Sequence, residues 1–180
     1  QSICRDITDR KKAEEQLYHQ ASHDALTGLY NRLMFFELLK QAMERAKRNK
    51  QKLGLLFLDL DGFKQVNDSL GHAAGDELLP AVAHRLKAAM RASDPVARIG
   101  GDEFIIILEG VQSRAGALAL ANTIEDEISL PYRVADKTAQ VGVSIGVALY
   151  PDDAKNADAL IDLGDERMYQ AKATKKSQVI

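Results

Sequence analysis

The chain has 180 residues, 46% hydrophobic and 28% charged, which suits one globular domain with a real core and a short appendage and argues against a second full domain. A formal net charge of -2 argues against a broad nucleic-acid or membrane-binding surface, although Lys47, Arg48, Lys50 and Lys52, and later Lys172, Lys175 and Lys176, form local basic clusters. The single cysteine, Cys4, excludes an internal disulfide and a cysteine metal site, and the longest apolar runs, LGLLFL and FIIIL, are too short to cross a bilayer.

No signal-peptide pattern opens the chain, and a start at Gln1 leads us to expect a soluble piece of a longer protein. Residues 9 to 23 lack Gly and Pro and space Ala13, Leu17 and Ala21 four apart. They predict an exposed helix with a thin apolar stripe, either a solvated connector or half of a dimeric coiled coil. Thr27-Gly28 breaks this pattern, and Asn31 is placed to cap a second helix on which Phe35, Phe36, Leu39, Ala42, Met43 and Ala46 recur at helical spacing. LGLLFLDL, from Leu53 to Leu60, reads as a buried strand ending in acid at a sheet edge. Leu78, Leu79, Val82, Ala83, Leu86 and Met90 predict a helix with Pro80 near its first turn, since an interior proline costs about 3 kcal/mol. VARIG and EFIIIL predict a tight hairpin, with Gly100 and Gly101 supplying positive φ angles at its tip.

A helix from about Arg114 to Ile128 follows. Val141, Val143, Ile145, Val147 and Leu149 then alternate with Gly142, Ser144, Gly146 and Ala148, a strand with one bulky and one small face. After the turn YPDD, Leu160, Ile161, Met168 and Ala171 mark a last helix that ends in lysines. Helices alternating with strands, plus one hairpin, imply an α/β (α+β) sandwich with a central mixed sheet flanked by helices.

The residues suited to chemistry gather around two turns. Asp59 and Asp61 are expected to diverge at their strand end, leaving Asp59 to share a site with the hairpin acids Asp102 and Glu103. A calcium loop is excluded, because the sixth and twelfth positions counted from Asp59 are Lys64 and Leu70. No P-loop, nucleophile elbow or His-Glu-x-x-His helix is present. Carboxylates converging on a sheet edge suit Mg²⁺, and two such ions can clamp a phosphoryl group during in-line attack. The plain alternative is that these acids, with Lys64, Asn67 and Asp76, are solvated surface groups. On the residues alone both readings stand.

RIGGDEF, Arg98 to Phe104, resembles the signature of the GGDEF family of diguanylate cyclases, and four further motifs agree in order: DALTGLYNR, DLDGFKQVNDSLGHAAGDELL, VSIGVALYP and MYQAK. The resemblance implies a palm-like nucleotide cyclase fold that condenses two GTP into cyclic di-GMP plus two pyrophosphates at a homodimer interface. It implies Mg²⁺ or Mn²⁺ held by Asp59, Asp102 and the backbone carbonyl of Leu60, with Asp102 or Glu103 helping to deprotonate the attacking 3′-hydroxyl. Lys64, Lys172 and Lys176 match phosphate contacts, Asn67 and Asp76 match the guanine readers, and His72 lines their pocket. Gly100 and Gly101 would keep side chains away from the triphosphate. Arg91 and Asp94 match an inhibitory site at which the family binds its product.

Upstream, residues 1 to 8 resemble the end of a PAS sensor domain, including its last strand, and residues 9 to 23 a signalling helix. Residues 24 to 180 then form the GGDEF domain, dimerising through that domain and the helix. The resemblance implies a cytoplasmic protein with no nucleic-acid partner and no direct membrane insertion, including as part of a larger membrane-associated receptor. Its other implication is a silent module that binds GTP or cyclic di-GMP and regulates a neighbouring phosphodiesterase. Three departures from the pattern stand out: Lys175-Lys176 where the family often has Gly-Arg, Gly164 where alanine is usual, and Pro80 within its helix.

Overall fold

The computed structural model describes residues 2–177, and the side chains of 7–175. Helix α1 (Ser2–Ser22) leads into α2 (Arg32–Asn49), β1 (Lys52–Asp61), α3 (Phe63–Leu70) and α4 (His72–Ala89). Strands β2 (Val96–Arg98) and β3 (Glu103–Val111) follow, then α5 (Arg114–Ile128), the small hairpin β4 (Tyr132–Val134) and β5 (Lys137–Ala139), β6 (Gly142–Tyr150) and α6 (Ala157–Ser177). The main sheet runs β2-β3-β1-β6 with antiparallel neighbours, and a parallel bridge from Tyr30 to Ala97 extends it beside β2. This is the expected helix-flanked mixed sheet.

The period-two pattern of the strands sorts the core into two layers. On one face Leu56, Leu58 and Leu60 of β1 join Phe104, Ile106 and Leu108 of β3 and the bulky residues of β6, beneath α4 and α5. On the other, Leu53, Leu55 and Phe57 join Ile105, Ile107 and Ala148 beneath α2 and α6. Each fully buried leucine or phenylalanine contributes roughly 2 kcal/mol, so both faces hold the sheet firmly in place beneath the site. The small face of β6 admits α6 closely: a Cβ on Gly146 would collide with the Gly164 carbonyl and come 3.0 Å from Met168 Cα. Asn31 caps α2 as expected, its Oδ1 accepting from Met34 N–H at 2.9 Å.

Four local expectations are corrected. Pro80 lies well inside α4, because Gly71, at φ 91°, ends α3 and starts α4 earlier than the apolar spacing indicated. Pro80 therefore leaves the Asp76 carbonyl without its helical donor. Gly100 and Gly101 do not occupy the left-handed region, which is used instead by Gly28, Gly62, Gly71 and Gly110. The hairpin is wider than a two-residue turn: Ile99 N–H donates to the Glu103 carbonyl at 3.1 Å, and the Arg98 guanidinium satisfies the Gly101 carbonyl at 2.9 and 3.1 Å. At the N-terminus the strand implied for the first residues is helix from Ser2 onward. The β4–β5 hairpin and the separate helix α3 had no distinct signal in the apolar pattern.

Candidate active site

The β1–β3 register places Asp59 directly opposite Glu103. Both project on the same face as Phe57 and Ile105, toward α6. Leu60 N–H donates to the Asp102 carbonyl at 3.1 Å, which stitches the hairpin tip to the end of β1. From α6 the Lys172 ammonium donates to Asp59 Oδ1. Asp59, Glu103, Asp165, Met168, Tyr169, Lys172 and Ala173 line a cleft of about 380 Å³.

The electrostatics follow from this crowding. Burial first, and then the Asp59 charge, push the Asp102 carboxyl above its ordinary range. Burial, Asp59, Asp102 and Asp165 do the same to Glu103. Desolvation works against the Lys172 ammonium, yet its hydrogen bond to Asp59 and the charges of Asp59, Asp61 and Asp102 carry its pKa above normal. The site is thus a set of mutually repelling carboxylates with one lysine as counter-charge.

Asp61 corrects a further expectation. Residues i and i+2 of a strand share a face, so Asp61 lies on the Asp59 side and not opposite it. Ser144 Oγ donates to its carboxylate at 2.8 and 3.0 Å, and the Lys175 ammonium stands 3.7 Å away. Lys175 also donates to Glu125 at 2.5 Å and to the Val143 carbonyl at 2.6 Å, fastening α6 to α5 and β6. Asp61, Gly62, Gln65, Glu125, Gly142, Lys172 and Lys175 border an open groove of about 600 Å³. Lys172 lines both this groove and the first cleft, so it faces Asp59 and Glu103 and the entrance to α3 together.

The remaining site residues divide between two places. Lys64 is exposed in the first turn of α3 and makes no hydrogen bond or ion pair among the described residues. Asn67 on α3 and the exposed His72 and Asp76 on α4 sit on the adjoining helix pair. A Cβ on Gly100 would come 2.5 Å from Glu103 Oε2, whereas one on Gly101 would meet nothing within 4 Å. Glycine at 100 therefore leaves room for the Glu103 carboxylate, and glycine at 101 leaves the outer face of the hairpin open. Arg91 and Asp94 lie at the far end of the β2–β3 pair, between cavities of about 390 and 420 Å³. Asp94 is 8% exposed, and its Oδ1 accepts from Glu109 N–H at 3.2 Å. The Lys176 side chain lies outside the described residues.

Two participants were missed in the sequence. Asp165 precedes Lys172 by seven residues, two helical turns on one face of α6, and that spacing was a usable signal. The other is the contact between Asp24 and Arg98, 74 positions apart, for which no local pattern exists.

Among the described residues no three His, Cys, Asp or Glu side chains form a ready-made metal cage. Asp59 and Asp102 with a backbone carbonyl nevertheless make a donor set for Mg²⁺, which takes one or two carboxylates and keeps its other positions for water and phosphate. Burial lifts Asp102 and Glu103 most and repulsion from Asp59 adds to it; a bound cation relieves that repulsion, so the residues fit the ion.

The sheet, the hairpin acids and the α6 lysine converge on one cleft. The model of the diguanylate cyclase GGDEF domain matches residues 21–178, and the chain belongs to this family. It is 45% identical over 157 residues to the diguanylate cyclase TpbB of Pseudomonas aeruginosa, covering 87% of this chain and 36% of TpbB. The bifunctional diguanylate cyclase/cyclic di-GMP phosphodiesterase MucR of the same species is 42% identical over 165 residues, 92% of this chain and 24% of MucR. The chain therefore spans about a quarter to a third of these relatives. A solved structure of the coiled coil and GGDEF domain of DgcB from Caulobacter crescentus, in complex with c-di-GMP, superposes with a TM-score of 0.86 at 25% identity, over 96% of this chain and 92% of that one. No helix among the described residues is long and apolar enough to cross a membrane.

Proposed function

We propose that this chain is an active diguanylate cyclase domain, joining two GTP molecules into cyclic di-GMP with release of two pyrophosphates across a homodimer. The observation that carries the reading is the registered Asp59–Glu103 pair, with Asp102 beside it and Lys172 facing it. In each half-reaction the 3′-oxygen of one GTP forms a bond to the α-phosphorus of the other. Its proton passes to Asp102 or Glu103, and the bond to the pyrophosphate oxygen breaks with its electron pair. Glu103 stands outside the proposed cation set, and burial and its acidic neighbours raise its pKa, which makes it the better proton acceptor near neutral pH. Lys172 and the unpaired Lys64 supply positive charge to the phosphates, and Asn67, His72 and Asp76 bind the base. A divalent cation on Asp59, Asp102 and the Leu60 carbonyl, when bound, withdraws charge from the phosphate and the alkoxide.

Each domain holds one substrate, so two must face each other, and α1 is the connector that sets how they meet. Its exposed Ile7, Leu17 and Tyr18 support a helical pairing of two chains. Residues 1–8 as the end of a PAS-like domain, Arg91 and Asp94 as a product-inhibition site, Lys176 as a further phosphate contact, and a cytoplasmic location complete the proposal. The test is turnover of GTP with Mg²⁺ by the parent and by Asp102→Ala. The parent should release pyrophosphate and the variant should lose at least about 100-fold, the usual scale for a removed acid–base group. Undiminished turnover in the variant contradicts the mechanism. GTP or cyclic di-GMP binding without turnover by the parent indicates instead a regulatory module beside a phosphodiesterase, an arrangement like that named for MucR.

A further inference from the structure

We infer that Gly75 sets the guanine selectivity of the site by seating Asn67, an inference that rests on the proposed role of Asn67 and Asp76 in reading the base. Gly75 is buried in the first turns of α4, facing α3. A Cβ built there would land on Asn67 Oδ1, lie 3.0 Å from Asn67 Cγ and stand 3.2 Å from Phe63 Cζ. The Asn67 carbonyl oxygen thus fills the space that any other residue at 75 would occupy.

That oxygen is sealed from solvent and has no hydrogen-bond partner. An unpaired buried acceptor opposes folding, so its retention points to a function for the other end of the amide. Asn67 Nδ2 makes no hydrogen bond among the described residues and is not sealed in with the oxygen. With the carbonyl held against α4, the amide presents its two N–H donors outward, and Asp76, the residue after Gly75 on α4, offers an exposed acceptor. The pair is therefore polarised: Asn67 donates to a ring acceptor of the base, and Asp76 accepts from N–H groups. Guanine carries N1–H and 2-amino donors alongside ring acceptors and satisfies both. Adenine has no N1–H and leaves Asp76 unpaired, which is how a polar site rejects an analogue. A methyl group at 75 forces the amide off α4 and destroys this polarity while touching neither the carboxylates nor Lys172.

The experiment measures equilibrium binding of non-hydrolysable GTP and ATP analogues to the full chain, as parent, Gly75→Ala, Asn67→Ala and the double variant. The parent should prefer the GTP analogue. Gly75→Ala should weaken that analogue about tenfold, the scale of one lost hydrogen bond, and leave the weak ATP-analogue binding unchanged. In the Asn67→Ala background, where nothing remains to collide with, Gly75→Ala should cost nothing further. Alanine is the better helix former, so a merely structural effect would not move the GTP/ATP ratio. Parental affinity and selectivity in Gly75→Ala, or losses that add across the double variant, overturn the inference. A parent without preference for the GTP analogue overturns the base-reading role on which it rests.

Discussion

Arg98 and Asp24 join the turn after α1 to the β2–β3 hairpin through one guanidinium. Nη1 of Arg98 donates to both Asp24 carboxylate oxygens at 3.1 Å, while its Nε and Nη2 donate to the Gly101 carbonyl at 3.1 and 2.9 Å. Asp24 follows directly on the α1 exit and is itself braced by Thr27 N–H at 2.9 Å and Thr27 Oγ1 at 2.7 Å. The first turn after α1 is thereby tied to the hairpin that carries Asp102 and Glu103. Arg98→Ala should lower stability by about 2 kcal/mol, the scale of charge-assisted hydrogen bonds, and depress GTP turnover more than GTP binding. Urea denaturation and steady-state kinetics check both halves.

The same pair predicts a pH dependence. Burial raises the Asp24 pKa, but the Thr27 and Arg98 contacts outweigh it and the net value is depressed below the ordinary 3.8. A depressed folded-state pKa gives stability that is present above the unfolded value and is lost as pH falls through the folded one. Asp24→Asn should therefore narrow its stability deficit against the parent as the pH is taken below about 4.

Asp102 shows the opposite sign. Its raised pKa means that the folded state binds the proton more tightly than the unfolded chain, so its charge opposes folding once the pH rises above the ordinary carboxylate range. Asp102→Asn should be inactive yet more stable than the parent at pH 7, with the gain vanishing near pH 3 where both carry a neutral side chain. Thermal unfolding across that range checks it, and a loss of stability at pH 7 is the contrary result.

Two glycines at one contact should respond in opposite ways. A Cβ on Gly164 would meet Phe57 Cβ at 3.6 Å, Leu55 Cδ2 at 3.7 Å and Ala148 Cβ at 4.0 Å, which is ordinary packing. Gly164→Ala should stabilise α6 by about 0.5–1 kcal/mol, so this departure from the family pattern is harmless to the fold. Gly146→Ala would drive α6 off the sheet and should cost at least about 3 kcal/mol, with Lys172 displaced from Asp59. Denaturation midpoints of the two variants separate these cases.

Asp153 anchors the end of β6. It accepts from Arg114 at 2.5 Å, from Arg167 at 2.8 and 3.2 Å and from Leu149 N–H at 2.8 Å, and these contacts, Arg167 foremost, hold its carboxyl well below the usual range despite burial. Asp153→Ala should destabilise by about 3 kcal/mol, because two arginines and a backbone amide lose their partner together. The deficit should shrink at acid pH, where the parent's carboxylate is also neutralised.

The legible parts of the sequence were those with a period. Alternation along Val141 to Leu149 and the continuous apolar β1 gave the strands, and helical spacing gave α2, α5 and α6. Ordered motifs singled out the candidate site residues, and the register of β1 on β3 brings Asp59, Asp102 and Glu103 together. What spacing concealed was local geometry. Gly71 starts α4 two turns before Pro80, the hairpin tip is widened by the Arg98 side chain, and Asp61 shares a face with Asp59. The Asp24–Arg98 bond and the seating of Asn67 by Gly75 join residues through the folded chain alone.

The most direct measurement is chromatography of the products formed from GTP and Mg²⁺ at several concentrations of the purified chain. Cyclic di-GMP appearing at a rate per chain that rises with concentration is the expected result, since in the proposed mechanism each half of the site comes from a different molecule. Absence of cyclic di-GMP at every concentration, from a chain that dimerises and binds GTP, would contradict the proposed cyclase.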